Sequence, residues 1–239
     1  MTRIIATILE RNEELLIERC LSSIESFVDK IIVLDLDSKD ATRDLITTFK
    51  NVELFVFKGL DFHDGILRNL LVSLAALYDP DWILRIDADE EIERNSAMRI
   101  RPLLKKARSS VEVFRALWIH LWNGSYFRLD KRFEKEYFKD LLYKVSRDRA
   151  TGEIFFPRLS FQEHHSGVYS SKIYICDLQL LHWGYSEIAR KQSFNWRKDF
   201  EEPSLESLRE FSLLSGISFP PRSIKSKEQV WRQILKRQT

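Results

Sequence analysis

The stretch that decides the fold is WILRIDADEE, from Trp82 to Glu91. Its first half is an apolar run typical of a buried parallel strand, and it ends in two aspartates, Asp87 and Asp89. Open α/β sheets bind ligands where their strands end. Alternate residues of an extended chain project to the same side, so both carboxylates can belong to one site. A solvated acidic turn is the alternative, and the position at a strand end inside an acid cluster favours the site.

The segments before this stretch alternate between strand and helix patterns. Strands are predicted at residues 3–9, 30–35 and 52–57, and WILRID is the fourth. The intervening helices are predicted from apolar residues at helical spacing, the first of them capped by Asn12 and including Ile17, Cys20, Leu21 and Ile24. This alternation predicts a three-layer α/β fold with right-handed crossovers.

The second half of the chain is less regular. Strands are predicted at residues 111–122 and 173–181, and helices at 186–200 and 205–214. Residues 128–170 are basic, aromatic and poorly periodic.

Composition sets the class of protein. The 239 residues are 44% hydrophobic and 31% charged, which excludes a disordered chain. The apolar runs are too short for a membrane span, and the two cysteines, Cys20 and Cys176, do not suggest a disulfide framework. We therefore expect a cytoplasmic protein. Acidic residues outnumber basic ones up to residue 100, and basic residues prevail after it, where they could meet an anionic ligand or surface.

A second aspartate pattern offers a competing hypothesis. Residues 32–38, IVLDLDS, resemble the opening motif of haloacid-dehalogenase-type phosphatases, which would make Asp35 a covalent nucleophile beside Asp37. That family places this motif on its first core strand, whereas a strand at residues 3–9 already precedes it here.

Four motifs in order resemble the glycosyltransferase A fold, with a mixed central sheet, and specifically family 2 glycosyltransferases of the lipopolysaccharide core β-glycosyltransferase kind. They are residues 5–14 (IATILERNEE), residues 28–35 with the loop 38–42 (SKDAT), Arg68-Asn69, and residues 82–91. Asp37, Lys39 and Ala41 depart from the family's usual second loop. The resemblance implies one domain over residues 1–220, with a nucleotide-binding half at 1–100 and an acceptor half at 101–200, followed by a basic tail at 221–239.

The resemblance also implies roles for individual residues. Thr7, Glu10 and Asp35 would line the base and ribose of a nucleotide, and Arg68 would support the base or diphosphate. Asp87 would face the ribose and the metal.

Asp89 would be the direct ligand of Mn²⁺ or Mg²⁺, since carboxylate oxygens suit these ions. His182 would be a further metal or diphosphate contact, with a buried structural histidine as its alternative. Glu163, in FQEHH, is the candidate catalytic base that would deprotonate the acceptor hydroxyl.

The implied activity is metal-dependent, inverting transfer of a sugar from a nucleoside diphosphate sugar, with UDP-sugars favoured, to a saccharide or glycolipid hydroxyl of the cell envelope. A non-catalytic carbohydrate-binding scaffold is the second alternative, and no nucleic-acid partner is expected. The basic, amphipathic segment Lys227–Arg237 could contact the inner face of an anionic membrane or dock on the domain.

Overall fold

The computed structural model describes residues 2–59, 64–122, 126–128, 138–147, 154–155, 172–183 and 208–210. The helices in these ranges are α1 (Ile17–Ile24), α2 (Thr42–Ile46), α3 (Asp64–Ala76) and α4 (Arg94–Lys106). The strands are β1 (Ile4–Glu10), β2 (Lys30–Asp35), β3 (Val52–Val56), β4 (Trp82–Arg85), β5 (Glu90–Ile92), β6 (Val113–Trp122), β7 (Tyr126–Arg128), β8 (Phe138–Lys144), β9 (Ser146–Arg147), β10 (Ile154–Phe155), β11 (Ile173–His182) and β12 (Leu208–Glu210).

A mixed sheet forms the centre of the described fold. Its strand order is β12-β7-β6-β8-β4-β1-β2-β3, and β11 pairs with both β6 and β5. Strands β4, β1, β2 and β3 run parallel, as the buried apolar runs predict, and β8 joins them antiparallel to β4. The pair β9 and β10 forms a separate small ribbon. The predicted α/β fold with a mixed central sheet is therefore confirmed.

Helices cover both faces of this sheet. Alternate residues of β1 face opposite layers: Ile4, Ala6 and Ile8 join one apolar cluster, and Ile5 and Leu9 join the other. The first cluster is closed by α1, α2 and α4, and the second by α3. Three layers result, and the carboxyl ends of the parallel strands β1, β2 and β4 meet at one edge of the sheet, where α/β sheets bind ligands.

Helix α1 shows what the apolar pattern could and could not predict. Its buried stripe is Ile17, Cys20, Leu21 and Ile24, as expected from the spacing. The predicted cap at Asn12 is wrong, because the helix begins at Ile17 and Asn12 has a positive φ of 55°.

The structure corrects one predicted element in the second half of the chain. Strands β6 and β11 confirm the patterns at 111–122 and 173–181. The helix predicted at 205–214 is wrong where the structure describes it, because Leu208–Glu210 is a strand paired with β7. Residues 221–239, the predicted basic tail, lie outside the described residues. None of the described helices is long and apolar enough to cross a membrane.

Candidate active site

Two loops interlock beside the carboxyl ends of β1 and β2. The backbone N–H of Asn12 donates to the Ser38 hydroxyl at 2.8 Å, and the backbone N–H of Lys39 donates to Asn12 Oδ1 at 2.7 Å. The Glu13 amide N–H donates to Thr42 Oγ1 at 2.8 Å, and a Glu14 carboxylate oxygen accepts the Ala41 N–H at 2.9 Å. Asn12 thus fixes the neighbouring loop instead of capping α1. These hydrogen bonds connect the first family-like motif, residues 5–14, to the loop 38–42 of the second.

A buried pair of carboxyl groups lies where these loops begin. Glu10 ends β1, Asp35 ends β2, and the two residues face each other in the parallel register. Asp35 Oδ1 accepts the Ser38 N–H at 3.0 Å, and the Ser38 hydroxyl donates to Glu10 at 3.2 Å. Thr7 lies nearby on β1, its hydroxyl donating to the Leu84 carbonyl at 3.3 Å. All three predicted base-binding residues are buried, with Thr7 and Glu10 4% exposed and Asp35 fully enclosed.

The surroundings of the two carboxyl groups favour one proton on the pair. Burial, together with the hydrogen bond that a neutral Glu10 donates to Asp35, raises the pKa of Glu10 to about 10. Burial alone would raise the pKa of Asp35, but hydrogen bonds from Glu10 and Ser38 outweigh it and hold that pKa below its ordinary value. A raised pKa at Glu10 and a lowered pKa at Asp35 together favour one negative charge on the pair at neutral pH.

Asp87 is held between two buried cations. The Arg68 guanidinium donates to Asp87 Oδ1 at 2.6 Å and to Asp64 Oδ1 at 2.6 Å, so α3 is tied to the loop after β4. The Lys139 ammonium group contacts the other Asp87 oxygen. Burial would raise the pKa of Asp87, but Arg68 and Lys139 outweigh it and hold the pKa well below its ordinary value. Arg68 and Asp87, both predicted from sequence, meet as expected of one site.

Lys139 extends this network to β5. Its ammonium group contacts both carboxylate oxygens of Glu90 at 2.7 and 2.6 Å, and Glu90 also accepts the Asp87 N–H at 2.8 Å. Lys139 is 8% exposed and Glu90 is 1% exposed. Sequence reasoning missed both residues. The sequence did contain a signal for Lys139, which lies two residues before the apolar segment Leu141 to Tyr143. A lysine in a buried strand needs an acidic partner.

Asp89 and His182, the two proposed metal contacts, lie next to each other in the structure. Asp89 Oδ2 is 3.1 Å from His182 Nε2, and the Asp89 carbonyl accepts the Trp183 N–H at 2.8 Å. The antiparallel pairing of β5 with β11 creates this contact between residues 93 positions apart. Within the described ranges, no group of three or more His, Cys, Asp or Glu side chains is arranged to hold a metal ion. Among the described residues, Asp89 and His182 are the two side chains placed to bind one ion together, and Mg²⁺ or Mn²⁺ usually takes phosphate oxygens and water besides a few protein ligands.

Trp183 supports the segment around Asp89 and Glu91. The Trp183 indole N–H donates to Glu91 Oε2 at 3.0 Å, and the Arg19 guanidinium lies 4.2 Å from the centre of the Trp183 ring. Arg19 also pairs with Glu91 at 3.3 Å. These contacts fix the Asp89 loop from outside. Glu163, the predicted catalytic base, lies outside the described residues.

Comparison with known proteins identifies the family. The profile of glycosyl transferase family 2 matches residues 7–165, which is more than half of the chain. The chain belongs to this family. The resemblance predicted from the four motifs is therefore confirmed.

Individual relatives of this family 2 protein match over shorter stretches. An uncharacterized glycosyltransferase of Rickettsia felis is 33% identical over 96 residues, which cover 39% of this chain and 31% of that protein. O-antigen chain rhamnosyltransferase RfbN of Salmonella typhimurium is 36% identical over 73 residues, which cover 30% of this chain and 23% of that protein. The matches cover only 22% to 31% of the lengths of the curated relatives.

Among solved structures, that of TarS from S. aureus aligns with the family 2 chain at a TM-score of 0.49 and 13% identity. The alignment covers 74% of this chain and 36% of that one.

Proposed function

We propose that this family 2 protein transfers a sugar from a nucleoside diphosphate sugar to a hydroxyl of a saccharide or glycolipid, with inversion and with a divalent cation. The observation that carries the proposal is the convergence of Arg68, Asp87, Asp89 and His182 at the carboxyl edge of the sheet. They come from three separate segments of the chain, and they join acidic, basic and imidazole groups where α/β sheets bind ligands.

The carboxyl pair supports a uridine nucleotide as the donor. Glu10 and Asp35 end adjacent strands, and Glu10 Oε1 and Asp35 Oδ2 are buried oxygens without a hydrogen-bond partner among the described residues. The imide edge of uracil carries an N–H, which would donate to the anionic Asp35 carboxylate. Thr7 lies on the same edge, and we assign these three residues to the floor of the nucleotide pocket.

Asp89 and His182 fit the requirements of Mg²⁺ or Mn²⁺. Neighbouring ligands of an octahedral ion at about 2.1 Å from the metal lie about 3 Å apart. The 3.1 Å separation of Asp89 Oδ2 and His182 Nε2 is that of a hydrogen bond, and it is also short enough for both atoms to bind one ion. A carboxylate and an imidazole are both suitable donors for Mn²⁺. When bound, such an ion would act as a Lewis acid that stabilises the charge of the departing diphosphate.

Arg68 and Lys139 fix the orientation of the Asp87 carboxylate. Arg68 and Lys139 each engage one Asp87 oxygen, so the carboxylate cannot rotate freely and is kept ionised. A fixed, ionised carboxylate can accept hydrogen bonds from ribose hydroxyls in one geometry. We assign Asp87 to the ribose side of the site, next to the Asp89 ligand.

Deprotonation of the acceptor requires a base on the acceptor side of the site. Glu163 remains our candidate, because an acceptor hydroxyl is a poor nucleophile at neutral pH and a positioned carboxylate contributes about 10²–10⁴-fold to the rate. Removing its negative charge in Glu163→Gln would leave donor binding in place while suppressing transfer.

Product release distinguishes this function from its alternatives. The purified full chain would be incubated with UDP-, GDP- and TDP-sugars and Mn²⁺, and the liberated nucleoside diphosphate measured. Release from one sugar nucleotide supports the transferase. Phosphate release from a phosphoester in place of it would support the phosphatase, and release from neither, with retained saccharide binding, would support the scaffold.

A further inference from the structure

A second buried histidine lies directly behind His182. His120 on β6 is in register with His182 on β11, and their Nδ1 atoms are 3.0 Å apart. The two rings are nearly perpendicular, at 86°, with centroids 5.0 Å apart. His120 is 1% exposed and His182 is 9% exposed. Trp118 packs against both rings at 4.4 and 5.1 Å, so neither imidazole is free to turn over.

The contact between the two Nδ1 atoms requires one proton. A neutral imidazole carries its single N–H on either Nδ1 or Nε2, and a hydrogen bond between two ring nitrogens needs one donor and one acceptor. Without a cation, the 3.1 Å contact of His182 Nε2 with the Asp89 carboxylate needs a proton on Nε2, because a carboxylate only accepts. If that nitrogen gives its lone pair to a cation, the N–H of His182 must be on Nδ1. His120 Nδ1 must then accept, and the ring proton of His120 is on Nε2.

We propose that His120 is a positioning residue for the metal site: it accepts the Nδ1–H of His182 and so holds the Nε2 lone pair of His182 toward the cation. The proposal rests on the proposed function, because it assumes that His182 binds the ion. Metal-binding histidines usually donate their second ring N–H to an acceptor, and loss of that acceptor typically costs about 10–100-fold in metal affinity. In this chain the acceptor is an imidazole on a neighbouring strand.

Two substitutions of His120 that have the same shape as each other, His120→Asn and His120→Leu, distinguish this role from simple packing. Asparagine places an amide oxygen near the position of the imidazole Nδ1, whereas leucine has the same shape without an acceptor. The affinity of the full chain for Mn²⁺ would be measured at saturating UDP by the electron paramagnetic resonance signal of free Mn²⁺. We expect His120→Leu to bind Mn²⁺ about 10–100-fold more weakly and His120→Asn to remain within about threefold of the wild type.

The proton position provides an independent readout in the wild-type protein. With Mg²⁺ and UDP bound, two-bond ¹H–¹⁵N spectra should show His182 protonated on Nδ1 and His120 protonated on Nε2. This measurement decides the matter even if His120→Leu does not fold.

The outcomes distinguish the two proposals. If the wild type binds Mn²⁺ with UDP but His120→Leu binds it equally well, or if His182 carries its proton on Nε2 in the Mg²⁺ complex, the role of His120 is refuted and the metal site stands. If the wild type itself binds no Mn²⁺ in the presence of UDP, the proposed metal site fails, and the role of His120 fails with it.

Discussion

Replacing Glu10 by glutamine should change how the stability of the protein depends on pH. Glutamine keeps the size of Glu10, and its amide can donate to Asp35 as the neutral carboxyl group does, but it cannot ionise in this range. Burial and the Asp35 contact raise the pKa of Glu10 from 4.5 to about 10. Between these values the folded protein holds a proton at Glu10 that the unfolded chain has released.

The size of the effect follows from proton linkage. One extra proton in the folded state makes the free energy of unfolding fall by about 1.4 kcal/mol per pH unit. The Glu10 contribution is therefore complete below pH 4.5 and is lost progressively as the pH rises toward about 10. From pH 6 to pH 8 the wild type should lose about 3 kcal/mol relative to Glu10→Gln. That is a large part of a typical total stability of about 5–15 kcal/mol.

Urea unfolding followed by circular dichroism at pH 6, 7 and 8 and constant ionic strength measures this difference. Glu18→Gln is the matched control, because it removes an exposed glutamate from α1, and its curve should stay parallel to that of the wild type. If the wild type and Glu10→Gln also show parallel curves, Glu10 is ionised in the folded protein and the shared proton does not exist.

Two further substitutions test the cations at Asp87. Lys139→Met should reduce the free energy of unfolding by about 3–5 kcal/mol, because it leaves Asp87 and Glu90 buried without their shared cation. The control Lys144→Met, on the same strand, should cost less than about 1 kcal/mol. Equal losses of the two variants in urea unfolding would show that the buried network contributes nothing. Arg68→Ala should weaken UDP binding by about 1–3 kcal/mol in calorimetric titration, the scale of a hydrogen bond to a charged group, and a loss of stability with unchanged UDP affinity would make Arg68 purely structural.

Local sequence patterns were sufficient for the first half of the fold. Strands buried on both faces read as apolar runs, and the helical stripe from Ile17 to Ile24 has one orientation that buries it. Asn12 shows where such reasoning stops. Its side chain could accept a hydrogen bond either from the start of helix α1 or from the neighbouring loop. In the structure it accepts the backbone N–H of Lys39.

The site was predictable only in part, for a related reason. Asp87 and Asp89 stand at the end of one recognisable strand, so their chemistry is visible in the sequence. Lys139 and His120 join them through the pairing of β8 with β4 and of β11 with β6, which connects residues far apart in the chain. Alternation placed His120 in a sheet, but it could not show that its partner would be His182. The same holds for Leu208–Glu210, a short segment whose partner strand β7 decides its conformation.

The central claim is that Asp89 binds a cation that in turn binds the donor diphosphate. Calorimetric titration of UDP with and without Mn²⁺ tests it most directly, using the wild type, Asp89→Asn and the control Asp79→Asn. The Asp79 side chain is 62% exposed and forms a surface ion pair with Arg3 at 3.2 Å. We predict that Mn²⁺ strengthens UDP binding to the wild type and to Asp79→Asn, and that this gain is lost in Asp89→Asn while metal-free UDP binding persists. An undiminished Mn²⁺-dependent gain in Asp89→Asn would contradict the assignment of the metal site.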